Sequence, residues 1–195
     1  LGTPLSSLMA WVEYLKTKDV EESTITELSK DISRLETITD RFSKIGSMPT
    51  LELESLNQVI HNTIGYLKVR ISKKVIINVA PVGGAEIIAK LNPSLFSWVL
   101  ENLIKNAVDA MKGEGTIEIR LTDQTQFVYI DISDTGSGIP RSKHKTIFEP
   151  GFTTKQRGWG LGLSLVKRII ENYHSGKIFV KQSDTNGTVF RIVLN

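Results

Sequence analysis

The sequence predicts an α+β protein: an antiparallel helical hairpin, half of a dimeric four-helix bundle, followed by a two-layer α/β sandwich. Three observations carry this prediction. Up to position 46 apolar residues recur in steps of three and four. From position 51 onward short β-branched runs alternate with longer helical patterns. Between them Gly46-Ser47-Met48-Pro49 breaks both periodicities, so the regions divide as 1–48 and 49–195.

In the first region Leu1, Leu5, Leu8, Val12 and Leu15 form one heptad seam. Ile25, Leu28, Ile32, Leu35, Ile38, Phe42 and Ile45 form a second. The charged run Lys18-Asp19-Val20-Glu21-Glu22 is the connection, with Ser23 or Thr24 expected to cap the second helix. One hairpin cannot cover both seams together with Met9, Trp11 and Tyr14. Each large side chain left in water forfeits about 1.5–3 kcal/mol. A homodimer through residues 1–46 removes that exposure and is the expected assembly.

The second region reads as a strand over 51–53, a helix over 56–71, and strands over 75–80 and 85–89 split by a Gly83-Gly84 turn. Asn92-Pro93 opens a helix running to Met111. Strands follow over 116–121 and 127–133, then a helix over 161–173. The chain closes with strands over 177–182 and 188–194, joined at Asn186-Gly187. Mostly antiparallel strands beside three helices give the two-layer sandwich.

Composition narrows the function classes. The 195 residues contain no cysteine, which removes disulfides and thiolate metal sites. No apolar stretch is long enough to span a bilayer. A net charge of +3 does not argue for nucleic acid. The expectation is therefore a cytoplasmic segment without membrane or nucleic-acid contact, whatever anchors its parent. The basic residues cluster at Arg141, Lys143, Lys145, Lys155 and Arg157, either as a solvated loop or as the partner of a polyanion.

Four stretches carry chemistry. Asn102, Asn106 and Asp109 stand at i, i+4 and i+7 of the 92–111 helix, one stripe opposite Leu100, Leu103, Ala107 and Ala110. Such a stripe is either solvent-facing or a set of oxygen ligands for a hydrated hard cation such as Mg²⁺. Asp131–Pro140 ends a strand with Asp134 and the spaced glycines Gly136 and Gly138. An acid there can accept a hydrogen bond from an exocyclic amine while the glycines admit a flat ring. The third stretch, IFEPGFTTK, brings Thr153, Thr154 and Lys155 to the glycine run RGWGLGLSLV. That run matches neither familiar phosphate loop: Leu165 stands where G-x-G-x-x-G needs its last glycine, and no Gly-Lys-Ser/Thr follows.

Taken in order, ENLIKNAVDAM, DTGSGIP, IFEPGFTTK and GWGLGL closely resemble the N, G1, F and G2 boxes of the GHKL ATP-binding fold. Histidine kinases, gyrases, heat-shock chaperone ATPases and mismatch-repair ATPases share that fold. In front of it LGTPLSSLMAWVEYL resembles the part of a histidine-kinase H box that follows the phospho-accepting histidine. The resemblance implies a sensor histidine kinase, with the acceptor two places before Leu1. His61, His144 and His174 stand in the wrong contexts to replace it.

By the same resemblance Asn106 is the principal Mg²⁺ ligand, supported by Asn102. Asp109 of the nucleotide site departs from the pattern, standing where many histidine kinases carry a lysine that touches phosphate. Asp134 accepts the adenine amine, and Gly136, Gly138 and Ile139 line the base pocket. The segment 141–157 is the ATP lid, with Thr153, Thr154, Lys155 and Arg157 near the triphosphate and Lys155 at the γ-phosphate. Gly158 lets the lid fold, and the backbone of Gly160, Leu161, Gly162 and Leu163 cradles phosphate. Thr188 hydrogen-bonds near the adenine. Guanine would present a carbonyl to Asp134, so ATP is expected to be favoured over GTP by about tenfold or more.

The implied activity is ATP-dependent autophosphorylation followed by transfer to an aspartate on a response-regulator receiver domain. Thr3 matches the threonine that positions water for dephosphorylating that regulator. Two other readings remain open: a GHKL ATPase of another branch, and a histidine-less dimeric adaptor. The first usually carries a glutamate where Asn102 stands, although Glu101 is adjacent.

Overall fold

A computed structural model describes residues 2–18, 20–29, 31–32, 49–80, 86–153 and 160–195, with residues 2–5 described by backbone alone. The chain divides into two compact units, Leu1–Pro49 and Thr50–Asn195.

In the first unit helix α1 spans Gly2–Lys16 and α2 covers residues 22–29. Of the seam positions, Val12 and Ile32 are buried, Leu15 and Ile25 half-buried, and Leu8 and Leu28 exposed. Met9, Trp11 and Tyr14 are exposed too. The start of α2 differs from expectation. The Glu21 carbonyl accepts from the N–H groups of Thr24 and Ile25, so Ser23 and Thr24 lie inside the first turn instead of capping it. The second seam beyond Ile32 falls outside the described residues.

The second unit opens with β1 (Glu52–Ser55) and α3 (Leu56–Lys68). Ser55 caps α3, its hydroxyl accepting from Gln58 N–H at 3.2 Å. Leu56, Val59, Ile60, Thr63, Ile64 and Leu67 make the buried stripe, a helical period that sets which side faces the core. Strands β2 (Val75–Val79) and β3 (Ile88–Leu91) follow, then α4 (Pro93–Ala110). Asn92 caps α4 by accepting from Leu95 N–H at 3.1 Å, and Pro93 occupies the first turn, where its missing N–H costs nothing.

The long strands β4 (Gly115–Gln124) and β5 (Phe127–Asp134) lead to α5 (Gly162–Arg168) and the closing pair β6 (Lys177–Asp184) and β7 (Gly187–Leu194). The main sheet has the order β2-β4-β5-β7-β6, with β2–β4 parallel and the rest antiparallel. Its inner face (Ile117, Ile119, Ile130, Ile132, Phe190, Ile192) shares one core with Leu95, Leu100, Leu103 and Ile104 of α4 and Val166, Ile169 and Ile170. The opposite face carries a charged cluster across three strands. Arg191 holds Asp131 through Nε–Oδ1 and Nη2–Oδ2 bonds of 2.7 Å each, and Lys181 Nζ reaches Oδ2 at 2.7 Å.

Three expectations change. The strands over 75–80 and 85–89 do not form a hairpin: β2 joins the main sheet beside β4, while β3 pairs with β1 in a separate two-stranded sheet. Alternating apolar residues specify a half-buried strand, not its partner. The helix over 56–71 ends at Lys68. The helix over 161–173 is α only to Arg168 and continues as a π-helical turn over Ile169–Tyr173. That turn sets His174 in the core, with Nδ1 at 2.9 Å from Ile169 O and Nε2 accepting from Asn92 N–H at 3.1 Å. The ring therefore ties the end of one site helix to the cap of the other.

Candidate functional site: the C-terminal end of α4

The C-terminal part of α4, the β5 end and the α5 start come together through backbone approaches that side chains would block. A Cβ at Gly136 would stand 2.7 Å from Ala110 Cβ, so only glycine lets the loop after β5 close on α4. Ser137 N–H then donates to Ala110 O at 3.2 Å. At Gly138, φ is +72° and a side chain would collide with the Asp184 carbonyl, which seats the loop on the β6–β7 turn.

At the floor of this junction lies Asp134, 8% exposed. Its Oδ1 accepts from Gly136 N–H at 2.8 Å, and the Thr188 backbone also favours the ionised carboxylate. Burial nevertheless outweighs these donors and holds its pKa above the ordinary carboxylate value. Thr188, its register partner on β7, is 3% exposed, so an acid and a hydroxyl stand side by side. Ile139 is pinned at both ends of its peptide unit. Its N–H donates to Ser183 Oγ at 2.7 Å and its carbonyl lies 3.0 Å from His144 Nε2.

Asn102 and Asn106 are half-buried and Asp109 is exposed along the same stripe of α4. Asn102 spends its amide nitrogen on Trp98 O at 2.9 Å, which commits Oδ1 to the other direction. A Cβ at Gly162 would come within 3.1 Å of that oxygen, so the stripe meets the first residue of α5. Amide oxygens with water and phosphate are a donor set suited to Mg²⁺. Among the described residues no group of three or more His, Cys, Asp or Glu offers a competing metal site.

At the α5 start, Leu161 contributes no side-chain cap to the first turn, and Leu163 is half-buried. Gly160, with φ +64°, accepts from Gly151 N–H at 3.1 Å, so the two ends of the segment between them are tied together. Thr153 is exposed. Thr154, Lys155, Arg157 and Gly158 lie outside the described residues. Thr3 lies in the first turn of α1, in the other unit.

Sequence reasoning missed Ser183 and His144. Ser183 was within reach of it, because counting back across the β6–β7 turn puts it opposite Thr188. The turn itself is shifted, since Gly187 is already the first residue of β7 and pairs with Asp184. His144 had no such signal, its contact with Ile139 arising from a 3₁₀ turn over Arg141–Lys143.

A five-stranded mixed sheet, an asparagine-striped helix and a buried acid at its end define a nucleotide-site class, and comparison places the chain within it. Residues 92–195 match the family described as histidine kinase-, DNA gyrase B- and HSP90-like ATPase, and the chain belongs to that family. It is similar to Sporulation kinase A of Bacillus subtilis, 45% identical over 94 residues that cover 48% of this chain and 15% of that protein. Sensor histidine kinase ZraS of Salmonella typhimurium is 30% identical over 201 residues, covering 100% of this chain and 43% of its own length. Among solved structures, histidine kinase ThkA in complex with response regulator TrrA superposes with a TM-score of 0.67 at 27% identity, covering 98% of this chain and 57% of that one. The chain thus spans less than half the length of these two curated relatives. Its second unit has the fold of histidine-kinase catalytic domains. Among the described residues no helix is long and apolar enough to cross a membrane.

Proposed function

We propose that this chain is the dimerisation and catalytic core of a two-component sensor histidine kinase. It binds Mg-ATP and directs the γ-phosphoryl group to a histidine that precedes Thr3-Pro4-Leu5, from which an aspartate of a response-regulator receiver domain takes it. One observation carries this reading. The polar stripe of α4 joins a buried acid–hydroxyl pair, Asp134 and Thr188, to the glycine entry of α5. That arrangement matches a purine amine at one end and phosphate at the other.

Asp134 accepts from the adenine amine, with Gly136, Gly138 and Ile139 against the ring and Thr188 beside it. Asn106 and Asn102 hold the metal, whose chemistry is to neutralise phosphate charge. The backbone from Gly160 to Leu163 and the start of α5 donate to phosphate oxygens, with Thr153 and Asp109 at the margin of this end. Thr154, Lys155, Arg157 and Gly158 complete the lid, Lys155 at the γ-phosphate. The domain boundary at 48/49 separates this machinery from the dimerising helices, and Thr3 orients water for dephosphorylating the regulator.

Neither His174 nor His144 is the acceptor, and His61 stands outside any H-box context. Both ring nitrogens of His174 are engaged in the core, and His144 is held against Ile139 O. A regulator partner is supported by the complex of ThkA, and dimerisation by the apolar residues that α1 and α2 leave exposed.

The test follows labelled γ-phosphate from ATP on a chain extended upstream. Acid-labile label on a histidine just ahead of Thr3 is expected, and Thr3→Ala should leave it while impairing regulator dephosphorylation. Release of free phosphate with no protein label would contradict the kinase.

A further inference from the structure

The base end of the site is built as a row across three strands. Asp134 on β5 pairs in register with Thr188 on β7, which pairs in turn with Ser183 on β6. Cross-strand partners share one face of a sheet, so the three side chains stand in line. Ser183 Oγ touches three groups: it accepts from Ile139 N–H at 2.7 Å, lies 2.9 Å from Thr188 Oγ1, and lies 3.2 Å from Gly187 O.

A hydroxyl has one hydrogen to give. If Ser183 gives it to Gly187 O, Thr188 must donate to Ser183 and offers a ligand only lone pairs. If Ser183 gives it to Thr188, at the shorter distance, Thr188 keeps its own hydrogen for a ligand. Ile139 N–H occupies one lone pair of Ser183 in either case. The Gly187 contact, at 3.2 Å, is longer than the usual O–H···O range and the Thr188 contact, at 2.9 Å, lies within it, which favours Thr188 as the acceptor of the Ser183 hydrogen.

We infer that Ser183 is a positioning residue for nucleotide recognition: by donating to Thr188 it turns the Thr188 hydroxyl into a hydrogen-bond donor beside the Asp134 acceptor. This rests on the ATP reading above and sharpens it. An acceptor next to a donor complements a base edge with an amine next to a bare ring nitrogen, which is the N6/N1 edge of adenine. The Thr188 hydrogen reaches that nitrogen directly or through one water. Guanine, with a carbonyl and a ring N–H at the same places, mismatches both groups. Ser183 itself does not touch the base. Its loss therefore alters the sense of the neighbouring hydroxyl more than the shape of the pocket.

The test is calorimetric titration of the whole chain with ADP and with 1-deaza-ADP, in which a C–H replaces the ring nitrogen. The unsubstituted protein is expected to prefer ADP by about tenfold. Ser183→Ala should shrink that preference to about twofold by weakening ADP, whereas Ser183→Thr, which keeps a hydroxyl, should retain it. Thr188→Val should lose the preference too, and the Ser183→Ala/Thr188→Val pair should be no worse than Thr188→Val alone. Ser183→Cys, a poor donor of similar size, gives the same reading should Ser183→Ala not fold.

A Ser183→Ala protein that binds both nucleotides more weakly but with undiminished preference would overturn the inference, leaving Ser183 a purely structural tie. So would an unsubstituted protein that binds both equally while still favouring ATP over GTP, and in that case the ATP reading would stand. A chain that binds none of these nucleotides would overturn both together.

Discussion

The two units treat their apolar residues in opposite ways. From Thr50 onward the helices and the inner sheet face close one continuous core, with side chains such as Phe96, Leu100, Ile104, Ile119 and Ile130 removed from water. The helices of the first unit instead present Trp11 at 60% and Tyr14 at 50% exposure, beside Leu8, Met9 and Leu28. Among the described residues, the second unit closes its core as a single copy while the first leaves large apolar side chains in water. A self-contained nucleotide-type domain attached to an incomplete helical one has the economy of a signalling core. On the proposed function the chemistry belongs to the second unit, and the exposed apolar side chains of the first are the surface for a second copy.

Breaking the helical side should give the largest effect. Leu8→Glu with Trp11→Glu is expected to weaken self-association by about 3–4 kcal/mol, several hundredfold, read by sedimentation equilibrium. Nucleotide affinity should stay within about twofold. Conversely, Asp134→Ala should weaken ATP by about 2–3 kcal/mol, about thirty- to 150-fold by calorimetry, without changing the oligomeric state. A loss of dimer in the second case, or of nucleotide in the first, would mean the two units are not separable in this way.

Two further changes probe the second unit's own fabric. Burial alone would raise the pKa of Asp131, but hydrogen bonds from Arg191 and Lys181 outweigh it and hold the carboxyl below its ordinary value. Its stabilising contribution is thus complete above the unfolded-state carboxylate range and lost as pH falls through the folded value. Asp131→Ala leaves Arg191 and Lys181 without their shared acceptor, at a cost of about 2 kcal/mol in urea denaturation, while ADP binding is retained because this face lies opposite the core.

His174 gives the smallest effect. Burial outweighs the Ile169 carbonyl and lowers its pKa, so the folded protein keeps the ring neutral. Stability is full above the unfolded value of about 6.5 and declines below it, since the unfolded chain binds a proton the folded chain resists. Stability is expected to fall as pH is lowered from about 7.5 to 5.5, and His174→Gln should flatten that fall. Binding adds its own pH term. The amine needs an ionised acceptor, and the raised pKa of Asp134 makes affinity fall, on acidification, before an ordinary carboxylate would protonate. An Asp134→Asn protein should lack that term.

Much of this was legible in the sequence because it was written in local periodicity. The stripe of Asn102, Asn106 and Asp109 against Leu100, Leu103 and Ala107 is a helical repeat, and the cap at Asn92-Pro93 is a local signal. What escaped depends on contacts distant along the chain. Nothing in VIINV says that it lies parallel to β4 instead of pairing with β3. Nothing near Ile169 announces a π turn, because the extra residue is accommodated by packing and by the bonds of His174. The acid of the pocket could be guessed from Asp134 and its glycines, but its hydroxyl partners come from strands about fifty residues later. The depth of burial that shifts its titration exists only once α4 closes over it.

The most direct measurement is a pair of calorimetric titrations of the whole chain, with Mg-ATP and with Mg-GTP, at neutral pH. Saturable one-to-one binding of ATP, at least about tenfold tighter than GTP, is what an ionised Asp134 beside a donating Thr188 requires. Equal affinity for the two, or heat from neither, would contradict it.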